Sequence, residues 1–87
     1  MKSINKKIVV RNKQGLHARP AALFVQIASR FDARITVAKD GEVVNGKSIM
    51  GILMLGAAKG SEVMIEAVGD DAEEALLELE RLLTQNE

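Results

Sequence analysis

The sequence contains no cysteine, no tryptophan and no tyrosine, and it has only one histidine among its 87 residues. Without cysteine there is neither a disulfide framework nor a thiolate metal site. A zinc ion would have to rely on carboxylates for nearly all its ligands, which is an unusual set. The only aromatic residues are Phe24 and Phe31, too few for the stacking platforms of most single-strand RNA readers. We therefore expect no metal, no cofactor and no nucleic-acid partner.

Long apolar runs are also missing. No stretch approaches the ~20 residues that span a bilayer, and the basic residues at the start are not followed by the apolar core of a secretory signal. These features predict a cytoplasmic protein without membrane insertion. The length predicts one domain over residues 1–87, acting as a monomer with one modest core, and it excludes barrels and two-domain enzyme folds.

Charge is balanced overall but not along the chain. Residues 1–47 hold ten Lys/Arg against three Asp/Glu, whereas residues 48–87 hold two against nine. The halves therefore carry +7 and −7, and the basic half can steer the protein towards an acidic partner. The plainer interpretation of the acidic half is the solvated face of a final helix.

Hydrophobic periodicity predicts four strands and three helices. The strands are expected over residues 4–11, 33–39, 42–45 and 61–68, and the helices over residues 18–30, 49–55 and 72–83. Asp40-Gly41 is a hairpin turn signal, and Pro20 fits the first turn of a helix that starts close to His17. Ser48 and Gly56 are the expected caps of the second helix. Asp70 and Asp71, each with a glutamate three positions on, predict a capping box for the last helix.

The element order predicts an α+β fold, β-α-β-β-α-β-α. Each strand has one apolar face, so the helices must cover one side of a single sheet. The first helix can connect two parallel strands, and the fourth strand can lie between them, antiparallel to both. With the hairpin between the second and third strands, the expected strand order is 1-4-2-3.

The segment Gly15-Leu16-His17-Ala18-Arg19-Pro20-Ala21 is the most informative for function. A helix that starts here offers the free backbone N–H groups of Ala18 and Arg19 to an anion, and its positive end disfavours an imidazolium. The planar guanidinium of Arg19 suits phosphate. These features point to reversible phosphorylation of His17 on nitrogen. From residue types alone, a plain N-cap and a surface arginine remain the alternative.

A second segment imitates a nucleotide-binding motif. Residues 41–48 match the P-loop pattern G-x-x-x-x-G-K-[ST]. In a P-loop the four intervening residues form a loop around phosphates, but here they are predicted as a strand that follows a hairpin turn. We therefore predict no nucleotide site.

Ser48 itself is of interest because it follows Lys47 at a predicted helix start. A phosphate there would meet free N–H groups and a favourable dipole, although ordinary capping explains the serine as well. The helix after it carries four large apolar residues in seven positions, Ile49, Met50, Leu53 and Met54. They are either core or, in part, an exposed apolar patch, and the sequence leaves both open.

Three segments together resemble a known family over nearly the whole chain: residues 15–21, Gly46-Lys47-Ser48-Ile49-Met50-Gly51, and Leu55-Gly56-Ala57-Ala58-Lys59-Gly60. The family is that of the histidine-containing phosphocarrier HPr of the bacterial phosphoenolpyruvate-dependent phosphotransferase system. The resemblance implies a βαββαβα open-faced β-sandwich, a four-stranded antiparallel sheet with three helices on one face. It also implies a carrier rather than a stand-alone enzyme.

The resemblance assigns roles to residues. His17 would accept a phosphoryl group on Nδ1 from phosphorylated enzyme I and pass it to IIA domains of sugar permeases, with Arg19 and the amides of Ala18 and Arg19 stabilising it. Ser48 matches the serine that HPr kinase/phosphorylase modifies. The resemblance therefore implies this kinase and a catabolite repressor as further partners. The presence of His17 separates the chain from a related regulator that keeps the serine and lacks the histidine. The partner surface would comprise Leu16, Arg19, Pro20, Lys47, Ile49, Met50 and Leu53.

Alternatives remain within and outside the family. Asn12-Lys13-Gln14-Gly15 resembles nitrogen-branch relatives, which usually lack the Lys-Ser-Ile-Met segment present here, so the sugar and nitrogen branches both stay open. Outside the family, a small regulatory ligand-binding α/β domain would need a pocket and would not need His17 at a helix start. A nucleic-acid-binding domain could use the basic half, but no two glycines are three apart, so a KH-type G-x-x-G loop is absent.

Overall fold

The computed structural model describes residues 2–85 and contains the seven elements in the expected order. They are β1 (Ser3–Val9), α1 (Ala18–Ala28), β2 (Arg34–Lys39), β3 (Glu42–Asn45), α2 (Ile49–Leu55), β4 (Glu62–Val68) and α3 (Ala72–Thr84). Among these residues the longest helix has 13 residues, and no helix is long and apolar enough to cross a bilayer.

The four strands form one sheet in the order β1-β4-β2-β3. β4 lies between β1 and β2 and is antiparallel to both, with Ile65 opposite Lys6 on one side and Val37 on the other. β3 pairs antiparallel with β2 on the outer edge. The predicted strand order is confirmed, and the three helices leave the other face of the sheet open.

The core lies between the sheet and the helices. Ile35, Val37 and Ile65 alternate inward along their strands, and they meet Phe24 of α1 and Leu79 of α3, all with 0 % exposure. Burial of one such side chain contributes about 1.5–3 kcal/mol. The apolar residues that recur every two positions in the strands and every 3.6 positions in the helices thus form one common apolar layer.

Two predicted ends shift by two residues, whereas the other boundaries lie within one residue of their expected positions. α1 ends at Ala28 rather than Arg30, since the N–H groups of Arg30 and Phe31 donate to carbonyls three residues back and tighten the end of the helix. β1 ends at Val9 rather than Arg11, because the Arg11 N–H donates to the Leu83 carbonyl at 2.7 Å. The chain therefore leaves the sheet for the end of α3 just before the His17 segment.

The predicted capping box at α3 is wrong. Asp71 is the N-cap residue, but its side chain makes no cap hydrogen bond. Its carboxylate instead accepts the N–H groups of Asp32 and Ala33, both at 2.9 Å. Asp71 therefore fastens the loop between α1 and β2 to the start of α3, a contact between residues 38 and 39 positions apart.

Two ion pairs join the β1 region to α3, Lys2–Glu73 and Lys6–Glu80, each at 2.8 Å. The hydrogen bond and charge of Glu73 raise the pKa of Lys2, and the same contact lowers the pKa of Glu73. Because Lys2 and Glu73 are exposed, this pair adds little to stability.

Candidate functional site

His17 is the N-cap residue of α1. Its backbone is extended, with φ −78° and ψ −174°, and its side chain makes no cap hydrogen bond. Its carbonyl accepts the N–H of Ala21 at 2.8 Å, so the helix is anchored on the backbone of His17 rather than on its ring. His17 is exposed.

The first turn of α1 leaves two amide groups without a partner. Ala18 and Arg19 donate no hydrogen bond to any of residues 2–85, and Pro20 has no N–H. Free N–H groups at the start of a helix and the positive end of the helix dipole together favour the binding of an anion. The first turn of α1, with His17 as its N-cap, therefore offers backbone N–H groups of the kind that suit a phosphoryl group.

Arg19 adds the cation. Its side chain is exposed, and within the described part of the chain it forms no ion pair. No acidic residue lies in the first turn of α1, so nothing on that turn competes for the guanidinium. Because the guanidinium can donate two parallel hydrogen bonds, it suits a phosphoryl oxygen pair.

The loop before His17 is held against the end of α2. Leu16 donates its N–H to the carbonyl of Ala57 at 2.7 Å. Gly15 adopts a left-handed conformation (φ 60°), and a Cβ there would lie 2.6 Å from the Ala57 oxygen. The close approach requires glycine, and it fixes His17 relative to the segment that follows α2.

Two residues expected on the partner surface are buried instead. Leu16 has 2 % exposure and belongs to the core, and Pro20 is buried at the start of α1. Little of either residue is open to a partner, and both support the backbone around His17. Their contact with a partner stays a prediction.

Ser48 caps α2 as expected. Its hydroxyl oxygen accepts the N–H of Gly51 at 3.1 Å, and the helix closes at Gly56 in a left-handed conformation. The residue is half-buried. Residues 42–45 of the P-loop pattern form β3, which confirms the predicted strand.

Lys47, expected to contact partners, has an internal contact. Its ammonium donates to the Phe31 carbonyl at 2.6 Å, and its backbone N–H donates to the Asn45 side chain at 2.8 Å. The side chain thus ties the Ser48 region to the loop after α1.

The apolar residues of α2 divide between core and surface. Ile52 and Leu55 are buried, whereas Ile49, Met50, Leu53 and Met54 are 38 %, 66 %, 39 % and 66 % exposed. These four residues are called the α2 patch below. Met50 is the most exposed of the three α2 residues expected on the partner surface, and Met54, which was not among them, is equally exposed. The spacing of the two methionines could have predicted this, because residues four positions apart lie on the same face of a helix. α2 packs against α1.

A site of this composition suits one kind of chemistry. It has the chain's one imidazole, two amides that donate no hydrogen bond within residues 2–85 and a guanidinium, and no acidic residue lies in the first turn of α1. Within residues 2–85 no three potential ligands come together to hold a metal ion. The arrangement can bind and hold a phosphoryl group on His17.

The fold and this site correspond to a small phosphocarrier domain, and comparison with known proteins agrees. A family model described as the phosphorylation site of the phosphotransferase-system HPr component matches residues 4–85. The chain belongs to the HPr family.

Individual relatives are similar over most of their length. The HPr-like protein Crh of Bacillus subtilis is 51 % identical over 76 residues, which cover 87 % of this chain and 89 % of Crh. The phosphocarrier protein HPr of Treponema pallidum is 49 % identical over 77 residues, 88 % of each chain. The crystal structure of HPr from Bacillus anthracis superposes with a TM-score of 0.91 at 52 % identity, covering 93 % of this chain and 96 % of that one.

Proposed function

We propose that the protein carries phosphoryl groups in a bacterial phosphoenolpyruvate-dependent phosphotransferase system. His17 accepts the group from phosphorylated enzyme I and passes it to IIA domains of sugar permeases. One observation carries the proposal: the imidazole of His17 is free and exposed at the N-terminus of α1, beside the unbonded amides of Ala18 and Arg19. Membership of the HPr family supports it.

The proposed transfer is a nucleophilic substitution at phosphorus. A lone pair on Nδ1 of His17 attacks the phosphorus held by enzyme I, the N–P bond to His17 forms, and the bond to the donor breaks with its electron pair. Nδ1 is taken as the acceptor because the resemblance to the HPr family implies that nitrogen. The amides of Ala18 and Arg19 and the Arg19 guanidinium hold the phosphoryl oxygens.

The α2 patch provides the apolar part of the partner surface. It follows Ser48 directly and lies on a helix that packs against α1. Exposed apolar residues in one contiguous group are typical of protein interaction sites, and the two methionines can adapt to different partners. The basic half of the chain favours partners with acidic surfaces.

A relay assay tests the proposal. The protein is incubated with phosphoenolpyruvate, enzyme I and a IIA domain, and phosphoryl transfer to the IIA domain is measured. The wild type passes the group on, whereas His17→Ala blocks the relay with an unchanged melting temperature. A relay that runs at the same rate with His17→Ala contradicts the proposal.

A second candidate, a regulatory carrier of the nitrogen branch, is favoured by Asn12-Lys13-Gln14-Gly15. Rates of phosphorylation by enzyme I of each branch, measured side by side, decide between the branches, since the faster donor identifies the branch.

Ser48 is proposed as a regulatory phosphorylation site for HPr kinase/phosphorylase in the sugar branch. Its hydroxyl oxygen caps α2, 3.1 Å from the backbone nitrogen of Gly51.

A further inference from the structure

Methionine is the side chain of this protein that peroxides oxidise most readily. The chain has four methionines and no cysteine, tryptophan or tyrosine, so no thiol competes for the oxidant. Oxidation to the sulfoxide converts a flexible apolar side chain into a polar one, and methionine sulfoxide reductases reverse the change. The positions of the methionines in the fold therefore decide which of them react and what the reaction does.

Two methionines are open to solvent. Met50 and Met54 on α2 are both 66 % exposed, the highest value among the large apolar side chains of residues 2–85. Met64 on β4 is half-buried, because it lies between neighbours that belong to the core. A peroxide has to reach the sulfur atom before it reacts. Oxidation is therefore expected at Met50 and Met54 before Met64.

The two exposed methionines lie within the α2 patch, which is the surface proposed to contact enzyme I. They are four positions apart and so share one face of the helix. All seven residues of α2 are apolar or glycine, so no side chain of the helix donates a hydrogen bond to a sulfoxide oxygen. A partner that buries an oxidised patch would have to desolvate that oxygen, which weakens binding.

The same oxidation leaves the fold intact. α2 is attached to the core through Ile52 and Leu55, which are buried, and neither Met50 nor Met54 belongs to the core. The bond between the Ser48 hydroxyl and the Gly51 N–H does not involve the methionines. In the free protein the sulfoxide oxygens remain in water, so the helix keeps its cap and its buried contacts.

We propose that Met50 and Met54 are sites of reversible oxidation by hydrogen peroxide, and that their sulfoxides weaken the binding of enzyme I. The inference rests on the proposed function, because it takes the α2 patch as the docking surface. In each reaction a sulfur lone pair attacks one oxygen of the peroxide, the S–O bond forms and the O–O bond breaks. After proton transfer the other oxygen leaves as water, so the sulfur loses two electrons and the peroxide gains them.

Leucine substitutions test the proposal, because leucine is apolar, has a similar volume and contains no sulfur. The wild type, the double variant Met50→Leu/Met54→Leu and the matched control Met64→Leu are treated with dilute hydrogen peroxide. Catalase then removes the peroxide before enzyme I is added. Peptide mapping by mass spectrometry locates each added oxygen, calorimetry measures the Kd for enzyme I, and the melting temperature reports on the fold.

We expect Met50 and Met54 of the wild type to be oxidised several-fold faster than Met64. The Kd for enzyme I then rises about tenfold or more in the wild type and in Met64→Leu. The melting temperature stays within about 4–8 °C of the untreated protein. The double variant keeps its Kd under the same treatment, and a methionine sulfoxide reductase restores the Kd of the oxidised wild type.

Oxidation of Met64 as fast as Met50 and Met54 overturns the proposal, and so does an unchanged Kd in the oxidised wild type. An equal rise of the Kd in the treated double variant overturns it as well. If the double variant does not fold, the two single leucine variants replace it, and an undiminished rise in both contradicts the proposal. Untreated wild type that does not bind enzyme I contradicts the proposed function instead, while the peptide map still decides whether Met50 and Met54 are the preferred sites of oxidation.

Discussion

Gly15 and Ala57 approach so closely that a Cβ on Gly15 would lie 2.6 Å from the Ala57 carbonyl oxygen. The neighbouring Leu16 N–H donates to that same oxygen at 2.7 Å. Ala57 follows Gly56, the residue that ends α2. The contact therefore fixes the histidine at the start of α1 relative to the helix that carries Ser48 and the α2 patch.

Gly15→Ala tests this contact. The substitution places a side chain in a left-handed conformation, which costs about 1–2 kcal/mol, and forces apart two backbone segments, which costs about 1–3 kcal/mol more. Gly56→Ala is the control, because Gly56 has almost the same φ (59° against 60°) and open space around its Cβ. Urea unfolding of the two variants measures the difference. Equal destabilisation would mean that the close approach to Ala57 contributes nothing.

Arg19→Ala tests the cation beside His17. Hydrogen bonds to charged groups contribute about 1.5–3 kcal/mol, so we expect phosphoryl acceptance from enzyme I to slow by about 10- to 100-fold. Arg19→Lys restores only part of the rate, because a point charge lacks the planar pair of donors. Transfer reactions are quenched at successive times and analysed by intact mass, which gives the rates of phosphoryl acceptance. Arg34→Ala, which removes an exposed cation on β2, is the control. Equal rates for the two alanine variants would exclude a role of Arg19 in phosphoryl acceptance.

Met50→Glu and Met54→Glu test the α2 patch as the docking surface. Both side chains are 66 % exposed, so the changes cost little stability, but a partner would have to bury a carboxylate in an apolar contact. We expect the Kd for enzyme I to rise about tenfold or more for at least Met50→Glu, measured by calorimetry. Leu77→Glu is the control, because Leu77 is 52 % exposed on α3. A large fall in melting temperature with unchanged binding would instead place Met50 in the core.

Ser48→Asp tests the proposed regulation. A phosphate at Ser48 adds about −1.5 to −2 charges at a helix N-terminus that tolerates them, but it repels an acidic partner at the α2 patch. We expect Ser48→Asp to slow acceptance on His17 without unfolding, and less strongly than phosphoserine because it adds one charge. Raising salt relieves the block in part, since exposed charges are screened beyond about 8–10 Å at 0.1–0.15 M.

Two controls separate charge from capping at Ser48. Ser48→Ala removes the bond to the Gly51 N–H, which costs about 1 kcal/mol of stability, and leaves the transfer rate unchanged. Ser3→Asp adds the same charge on β1, an edge strand. If Ser48→Asp accepts phosphoryl groups as fast as wild type at low salt, the electrostatic explanation is excluded and Ser48 is only a cap.

Local patterns in the sequence predict the elements and their order, because each strand and helix has its own periodicity and its own cap or turn. The strand predicted within the P-loop pattern is confirmed for the same reason, since its four central residues form β3 after the Asp40-Gly41 turn. The start of α1 at His17 follows from Pro20 in the first turn. These features depend on neighbours within a few positions of the chain.

Contacts between distant residues could not be predicted in this way. Asp71 and the glutamate three positions later match the pattern of a capping box, but the Asp71 carboxylate accepts the backbone N–H groups of Asp32 and Ala33. The burial of Leu16 depends on the approach of Gly15 to Ala57, 42 positions later in the chain. Asn12 is predicted only as a loop residue, whereas the structure buries it and its Nδ2 donates to the Gly15 carbonyl.

The position of the phosphoryl group tests the central claim most directly. Wild type with 15N-labelled histidine is phosphorylated with phosphoenolpyruvate and enzyme I and then examined by intact mass and by nitrogen NMR of the ring. The account predicts one phosphoryl group, acid-labile and base-stable, with the altered nitrogen resonance at Nδ1 of His17. His17→Ala gains no mass under the same conditions. A phosphoryl group on Nε2, or the same gain of mass in His17→Ala, would contradict the account.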